Sequence, residues 1–226
     1  MFNSCEEGLG NLEGSRYLMD TYRDRVHEFY SFDGGYKGVV CKAVGSVRYE
    51  VVVKTEGGHS YGAFGNRNAI ALASSMICTL YDYKVPTRGK STYNVGVIEG
   101  GTSVNTIAQE VKFMFEVRSD EREDLLEMKQ FFEYVINAYR CMGIIVDVNL
   151  LGERPCMGNV DMDHLQNVLT RVAEVIQHHT GNLPSLHSGS TDCNICYDRG
   201  VAGCCFGGYE GKGAHTRQER IEINSL

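Results

Sequence analysis

Between Val47 and Leu151 the spacing of apolar residues changes period in a readable order. Val47, Tyr49, Val51 and Val53 alternate with Arg48, Glu50 and Lys54, the two-residue period of a strand with one buried face. Asn66 then predicts a helix cap, because Ala69, Leu72, Ala73, Met76 and Leu80 fall on one stripe before Pro86 interrupts. Asn94 to Glu99 reads as a short strand and Gly100-Gly101 as a turn. Ile107 to Arg118 reads as one long strand with Val111, Phe113, Phe115 and Val117 on one face and Arg118 on the other. Leu125, Met128, Phe132, Val135, Tyr139 and Met142 step by threes and fours until Gly143 stops them, and Ile144 to Leu151 closes the series as a strand. The order strand, helix, strand, strand, helix, strand predicts a ferredoxin-like βαββαβ unit over residues 46–153.

The flanks do not complete a domain separately. Residues 1–45 carry a short helix near Gly14 to Met19 and an apolar stretch at Val39-Val40. Residues 154–226 carry one clear helix, with Leu165, Val168, Leu169, Val172 and Ile176 on its stripe. The economical arrangement packs the two flanks into one α/β domain interrupted by the insertion, and glycines at both crossings, Gly45 and Gly152, would permit a hinge.

Composition narrows the class. With 22 Lys plus Arg against 29 Asp plus Glu, the 226-residue chain carries a formal charge of -7 and shows no basic stripe, which argues against nucleic acid or an anionic membrane as partner. No window has the apolar length of a membrane span, and the first residues lack an export signal, so the chain is expected in the cytoplasm. Nine scattered cysteines fit reduced thiols used as small hydrophobes. Cys193 and Cys196 with Cys204 and Cys205 raise a structural zinc site as an alternative, but a second pair at two-residue spacing is absent.

Four places collect polar residues that packing does not explain. Glu6-Glu7 precedes a glycine-rich bend. Asp33 sits at the glycine turn of Ser31-Phe32-Asp33-Gly34-Gly35. His59 follows Gly57-Gly58, and His215 lies in the glycine-rich run Gly207 to Thr216. Taken singly, each also reads as a solvated surface group or a common turn pair.

In order along the chain, "CEEGLGNLEG", Tyr30-Ser31-Phe32-Asp33-Gly34-Gly35, "GGHSYGAFGNRNAI", "EGGTSVNTIA", "GSTDCN" and "GKGAHTRQERI" resemble the metallopeptidase and deacylase family of glutamate carboxypeptidase, acetylornithine deacetylase, aminoacylase and peptidase T. The resemblance implies an α/β catalytic domain built from residues 1–45 and 154–226, with 46–153 as its lid and dimerisation domain. It implies a two-zinc hydrolase of amide bonds in small peptides or N-acyl amino acids, working as a homodimer through the lid. Glu6 would be the general base, Glu7 and His215 ligands of one zinc, and Asp33 a ligand of the other. His59 would stabilise the oxyanion in the partner subunit's site, and Asn105 and Arg118 would hold substrate, Arg118 by a forked contact with a carboxylate. Complete members carry a His-x-Asp segment and a bridging aspartate upstream of the Glu-Glu pair, whereas here Met1 lies five residues before Glu6. Two or fewer protein ligands per zinc predict weak metal binding and little hydrolysis by this chain alone. The competing reading is a non-catalytic dimerisation module.

Overall fold

The computed structural model describes residues 3–6, 8–214 and 216–225, the Leu9 side chain excepted. In chain order the elements are α1 (Glu13–Tyr22), β1 (Glu28–Phe32), β2 (Gly38–Ala43), β3 (Gly45–Lys54), β4 (Gly58–His59), α2 (Ala69–Tyr81), β5 (Ser91–Gly100), β6 (Thr106–Ile107) and β7 (Glu110–Ser119). There follow α3 (Arg122–Cys141), β8 (Ile145–Arg154), α4 (Met162–Thr180), β9 (Ser185–Gly189), α5 (Cys193–Asp198), β10 (Ala202–Phe206), β11 (Gly211–Lys212) and β12 (Arg220–Ile221). They form two compact units: one joins Met1–Gly45 with Arg154–Leu226, and the other is Ser46–Glu153.

The continuous unit has the ferredoxin-like topology. Its sheet runs in the order β5-β7-β3-β8, with β5 antiparallel to β7 from Ser91↔Ser119 to Gly100↔Val111. Val47, Val51, Val53, Val111, Phe113 and Val117 are buried on the face that receives Ala73, Met76 and Leu80 of α2 and Met128 and Phe132 of α3. The Phe132 ring stacks on Tyr49 at 4.2 Å and on Phe115 at 5.4 Å, tying α3 to two strands.

Two expected boundaries shift, each for a tertiary reason. The cap of α2 is Asn68, whose Oδ1 accepts from the Ile70 and Ala71 amides at 2.9 and 3.4 Å. Asn66 instead donates its amide to the Gly57 carbonyl at 2.7 Å. The expected strand from Ile107 to Arg118 is broken in two. β6 pairs with β4, through Gly58↔Ile107 and His59↔Thr106, before β7 begins. At the break, the Ala108 carbonyl accepts from the Ala69 amide at 2.9 Å and so serves the start of α2. Gly45 and Gly152 both lie inside strands, not in loops, because β3 begins at Gly45 and β8 runs on to Arg154.

The discontinuous unit is a four-stranded sheet in the order β1-β10-β2-β9. β1 runs parallel to β10 from Glu28↔Ala202 to Phe32↔Phe206, and β2 parallel to β9, while β10 and β2 are antiparallel. Leu165, Val168, Leu169, Val172 and Ile176 of α4 pack with Val39, Ala43, Ala202 and Tyr197 in the larger core cluster. A smaller cluster joins Leu12 and Met19 to Ile195, Cys196 and Val201. Asp161 caps α4 by accepting from the Asp163 and His164 amides at 3.0 and 3.1 Å, and Gly181 ends it at φ 75°, a conformation open to glycine at little cost.

Candidate active site

Asp33 stands where β1 ends. Its amide donates to the Phe206 carbonyl at 3.0 Å, which carries the β1–β10 pairing one residue past the strand. The residue is exposed, and among the described residues its carboxylate has no hydrogen-bond or ion-pair partner. It lines a cavity of about 580 Å³ together with Glu6, Ser15, Tyr30, Phe32 and Asp192. On its other side it borders a second cavity of about 330 Å³ with Lys37, His187, Tyr209 and Lys212. The structure therefore brings Glu6 and Asp33 to one hollow. Glu7 and His215 lie outside the described residues.

The segment that presents Glu6 is held in an unfavourable backbone conformation. Cys5, Asn11 and Leu12 have φ of 62°, 54° and 61°, a region that costs a residue with a Cβ about 1–3 kcal/mol. The Leu12 amide donates to the Cys5 carbonyl at 3.0 Å, closing the bend, and a Cβ on Gly10 would stand 2.5 Å from that same carbonyl oxygen. Glycine is thus required at position 10 by close approach. Strain of this kind persists only where surrounding contacts hold it, and it gathers at functional sites.

Those contacts come from residues to which the sequence assigned no role. Ser15, fully buried on α1, donates to Asp192 Oδ1 and accepts from Asn3 Nδ2 at 3.0 Å. Arg154, 6% exposed, reaches the Glu6 carbonyl, the Glu6 carboxylate and the Ser190 hydroxyl. Asn194, with no exposed surface, donates to the Val44 and Pro155 carbonyls at 2.8 and 2.9 Å and accepts from the Thr191 amide at 2.9 Å. The "GSTDCN" run was the available signal, and its Ser190, Asp192 and Asn194 carry these bonds. Arg154 had none, since the end of a strand reads as solvent-facing.

In the inserted unit, His59 and Asn105 are neighbours on the β4–β6 ribbon. The Ser60 amide donates to the Asn105 carbonyl at 2.9 Å. His59 is exposed, and its Nδ1 accepts from the Tyr61 and Gly62 amides, both at 3.3 Å. A neutral ring accepting at Nδ1 carries its proton on Nε2, so an N–H donor is presented outward. Ser103 donates to Asn105 Oδ1 at 2.9 Å, which leaves the amide nitrogen to face solvent.

Arg118 does face away from the buried side of β7, but it is not free. Its Nε and Nη2 donate to Glu116 at 2.7 and 3.1 Å, and Arg48 shares the same carboxylate at 2.6 Å. Burial works to raise the Glu116 carboxyl; the two guanidiniums outweigh it and hold the group below its usual value. Arg118 stands eight positions after Glu110 on β7, about 26 Å at 3.3 Å per residue. His59 and Asn105 lie at the other end of the strand, where β6 leads into it. The structure does not bring these three residues together within one unit.

All nine cysteines are free thiols, with Cys156, Cys193, Cys196, Cys204 and Cys205 buried. Burial pushes the Cys204 and Cys205 thiols up to about 12 and about 11, which leaves them protonated and apolar in the core. Among the described residues no three His, Cys, Asp or Glu side chains gather as metal ligands would. The Cys193–Cys196–Cys204–Cys205 zinc site is therefore absent from them.

Comparison with known proteins supplies the class. A family profile for the peptidase dimerisation domain matches residues 42–139. Aminopeptidase PepT from Bacillus cereus superposes with a TM-score of 0.69 at 26% identity, over 95% of this chain and 57% of its own. A tripeptidase from Staphylococcus aureus gives 0.69 at 20% identity over 95% and 57%. The aminobenzoyl-glutamate utilization protein from Klebsiella pneumoniae gives 0.63 at 19% over 84% and 52%. No curated protein matches the chain. The chain thus spans little more than half the length of these structures. A ferredoxin-like unit inserted into an α/β lobe is the fold that the chain shares with these structures. Residues 42–139 match the peptidase dimerisation domain of M20 proteins, and the fold of the whole chain resembles that of aminopeptidase PepT.

Proposed function

We propose that this chain forms part of a zinc-dependent hydrolase of amide bonds in small peptides or N-acyl amino acids, working as a homodimer. The observation that carries the reading is the meeting of Glu6 and Asp33 in one cavity behind a strained bend. An unpartnered carboxylate at that place suits a hard cation, and Glu7, Asp33 and His215 together make a donor set of the kind zinc takes. Glu7 and His215 would hold one zinc and Asp33 the other, and the metals when bound would polarise the scissile carbonyl and acidify water. Glu6, left outside the ligand set, takes the proton of the attacking water and hands it to the leaving amine. His59 donates from Nε2 to the oxyanion, while Asn105 and Arg118 hold substrate.

The separation along β7 supports a division of labour between copies. A small substrate does not span a separation of about 26 Å along β7, so His59 and Asn105 would serve a different site of the dimer from Arg118. The contact surface would be α2 and the edge strand β5. α2 has no charged residue over its length and exposes Ile70 and Tyr81, and β5 exposes Val97 and Ile98 beside its unpaired backbone edge. A cytoplasmic setting fits nine free thiols. Among the described residues no helix is long and apolar enough to cross a membrane.

The test is zinc content and hydrolysis of dipeptides, tripeptides and N-acyl amino acids, with Glu6→Gln as the probe. Full turnover by Glu6→Gln overturns the role of Glu6. The alternative, a dimerisation module without catalysis, draws on the family match being confined to residues 42–139. It is favoured if no zinc dependence appears in any form of the protein.

A further inference from the structure

We propose that Arg154 is a positioning residue for Glu6, fixing the base through its main chain and its carboxylate without touching substrate. The proposal rests on the role given to Glu6 above. Arg154 Nη2 donates to the Glu6 carbonyl at 2.5 Å, and Nη1 donates to Glu6 Oε1 at 3.3 Å and to Ser190 Oγ at 3.1 Å. A guanidinium with 6% of its surface exposed has lost most of its hydration, a cost that only close, well-directed partners offset. Two of these contacts go to one residue. A planar fork that grips both a carbonyl and the side chain of the same residue sets where that residue sits and which way it points.

The bend it grips needs holding, since the positive φ at Cys5, Asn11 and Leu12 is unfavourable without outside support. Support reaches both ends of the bend from one turn. Ser190 accepts from Arg154 on the Glu6 side, and Asp192 accepts from Ser15, which follows the bend on α1. Arg154 is also the last residue of β8, and the carbonyl of the next residue, Pro155, is bonded by Asn194. The chain is therefore pinned where it re-enters the lobe, and the pin is the residue that orients the base. A lysine places its donors on one nitrogen and does not span the carbonyl, the carboxylate and the hydroxyl in a single plane.

The test compares Arg154→Lys and Arg154→Met with the parent chain by hydrogen–deuterium exchange, read over residues 3–14 against residues 193–198 as internal control. Loss of the clamp is expected to speed exchange over 3–14 by about 10-fold or more in Arg154→Met, with Arg154→Lys between it and the parent. In the zinc-loaded protein, kcat is expected to fall by about 100-fold with KM and zinc content near parental values. If Arg154→Met does not fold, Arg154→Lys decides by the same exchange reading. Unchanged exchange over 3–14 in a folded variant overturns the clamp. Parental turnover by Glu6→Gln, with exchange still raised in the Arg154 variants, removes the catalytic half of the proposal and leaves the clamp standing.

Discussion

Asn194→Leu removes three buried hydrogen bonds in one step. The side chain bonds the Val44 carbonyl, the Pro155 carbonyl and the Thr191 amide, and it has no exposed surface through which water could take its place. Two acceptors and one donor are left buried and unsatisfied, at about 1–3 kcal/mol each. The sum, roughly 3–9 kcal/mol, is a large share of the 5–15 kcal/mol that holds a typical domain. Asn194→Asp keeps the shape but turns an acceptor toward the two carbonyls, so it should be at least as damaging. The loss should fall on the discontinuous unit alone, since all four residues belong to it. Urea unfolding followed by hydrogen exchange, read separately over residues 160–176 and 46–153, resolves the two units. Exchange of 160–176 should rise toward the unfolded limit at lower urea, with 46–153 unchanged. An unfolding free energy for Asn194→Leu within about 1 kcal/mol of the parent would refute the reasoning, because ordinary single substitutions do as much.

Three further predictions follow from the same geometry. Mixing inactive Glu6→Gln and His59→Ala subunits should restore about a quarter of parental activity, the statistical share of intact sites in randomly mixed dimers; no recovery places His59 in its own subunit's site. Acid should weaken the inserted unit partly through Glu116. Its folded carboxyl lies below the ordinary 4.5, so its contribution is whole above that value and is lost as pH falls through the lowered one. Glu116→Gln should then flatten the acid side of the urea-midpoint profile, and an unchanged slope counts against the Arg48–Glu116–Arg118 group. Finally, Cys5 and Cys141 are exposed thiols and should react first with a disulfide reagent, whereas the buried, protonated thiols should wait for unfolding. Cys78 lies on α2, so dimers should protect it and Val97→Asp with Ile98→Asp, which makes the chain monomeric, should expose it.

The inserted unit was legible because its signals are local. One face of β3 and β7 is buried and the other open, so alternation appears in the residues themselves, and α3 repeats its apolar stripe over five turns' worth of positions before a glycine stop. The misread points are those where a distant group decides. Asn66 and Asn68 are equally good caps in isolation, and Asn68 takes the role because Asn66 is committed to Gly57. Val111 to Val117 show where a strand lies, yet only the pairing of β6 with β4 shows where it must break. The face of Arg118 was readable, but its partner Glu116 sits two residues away on that same face, where the pattern marks both simply as polar. In the lobe, Glu6 and Asp33 stood out by composition and place in a motif, whereas Arg154 and Ser15 look like ordinary polar residues until the fold sets them against the bend.

β1 finds its parallel partner only when Ala202 to Phe206 have been made, so β1 leaves the ribosome long before that partner does. The insertion, closed on itself from Ser46 to Glu153, can fold in the meantime, drawing Val44 and Pro155 toward each other and shortening the loop that the lobe must later close. Synthesis from the N-terminus would thus give a molecule whose insert matures before β1 meets β10, and agents that delay the stretch carrying β10 should trap chains with a native insert and an unpaired β1.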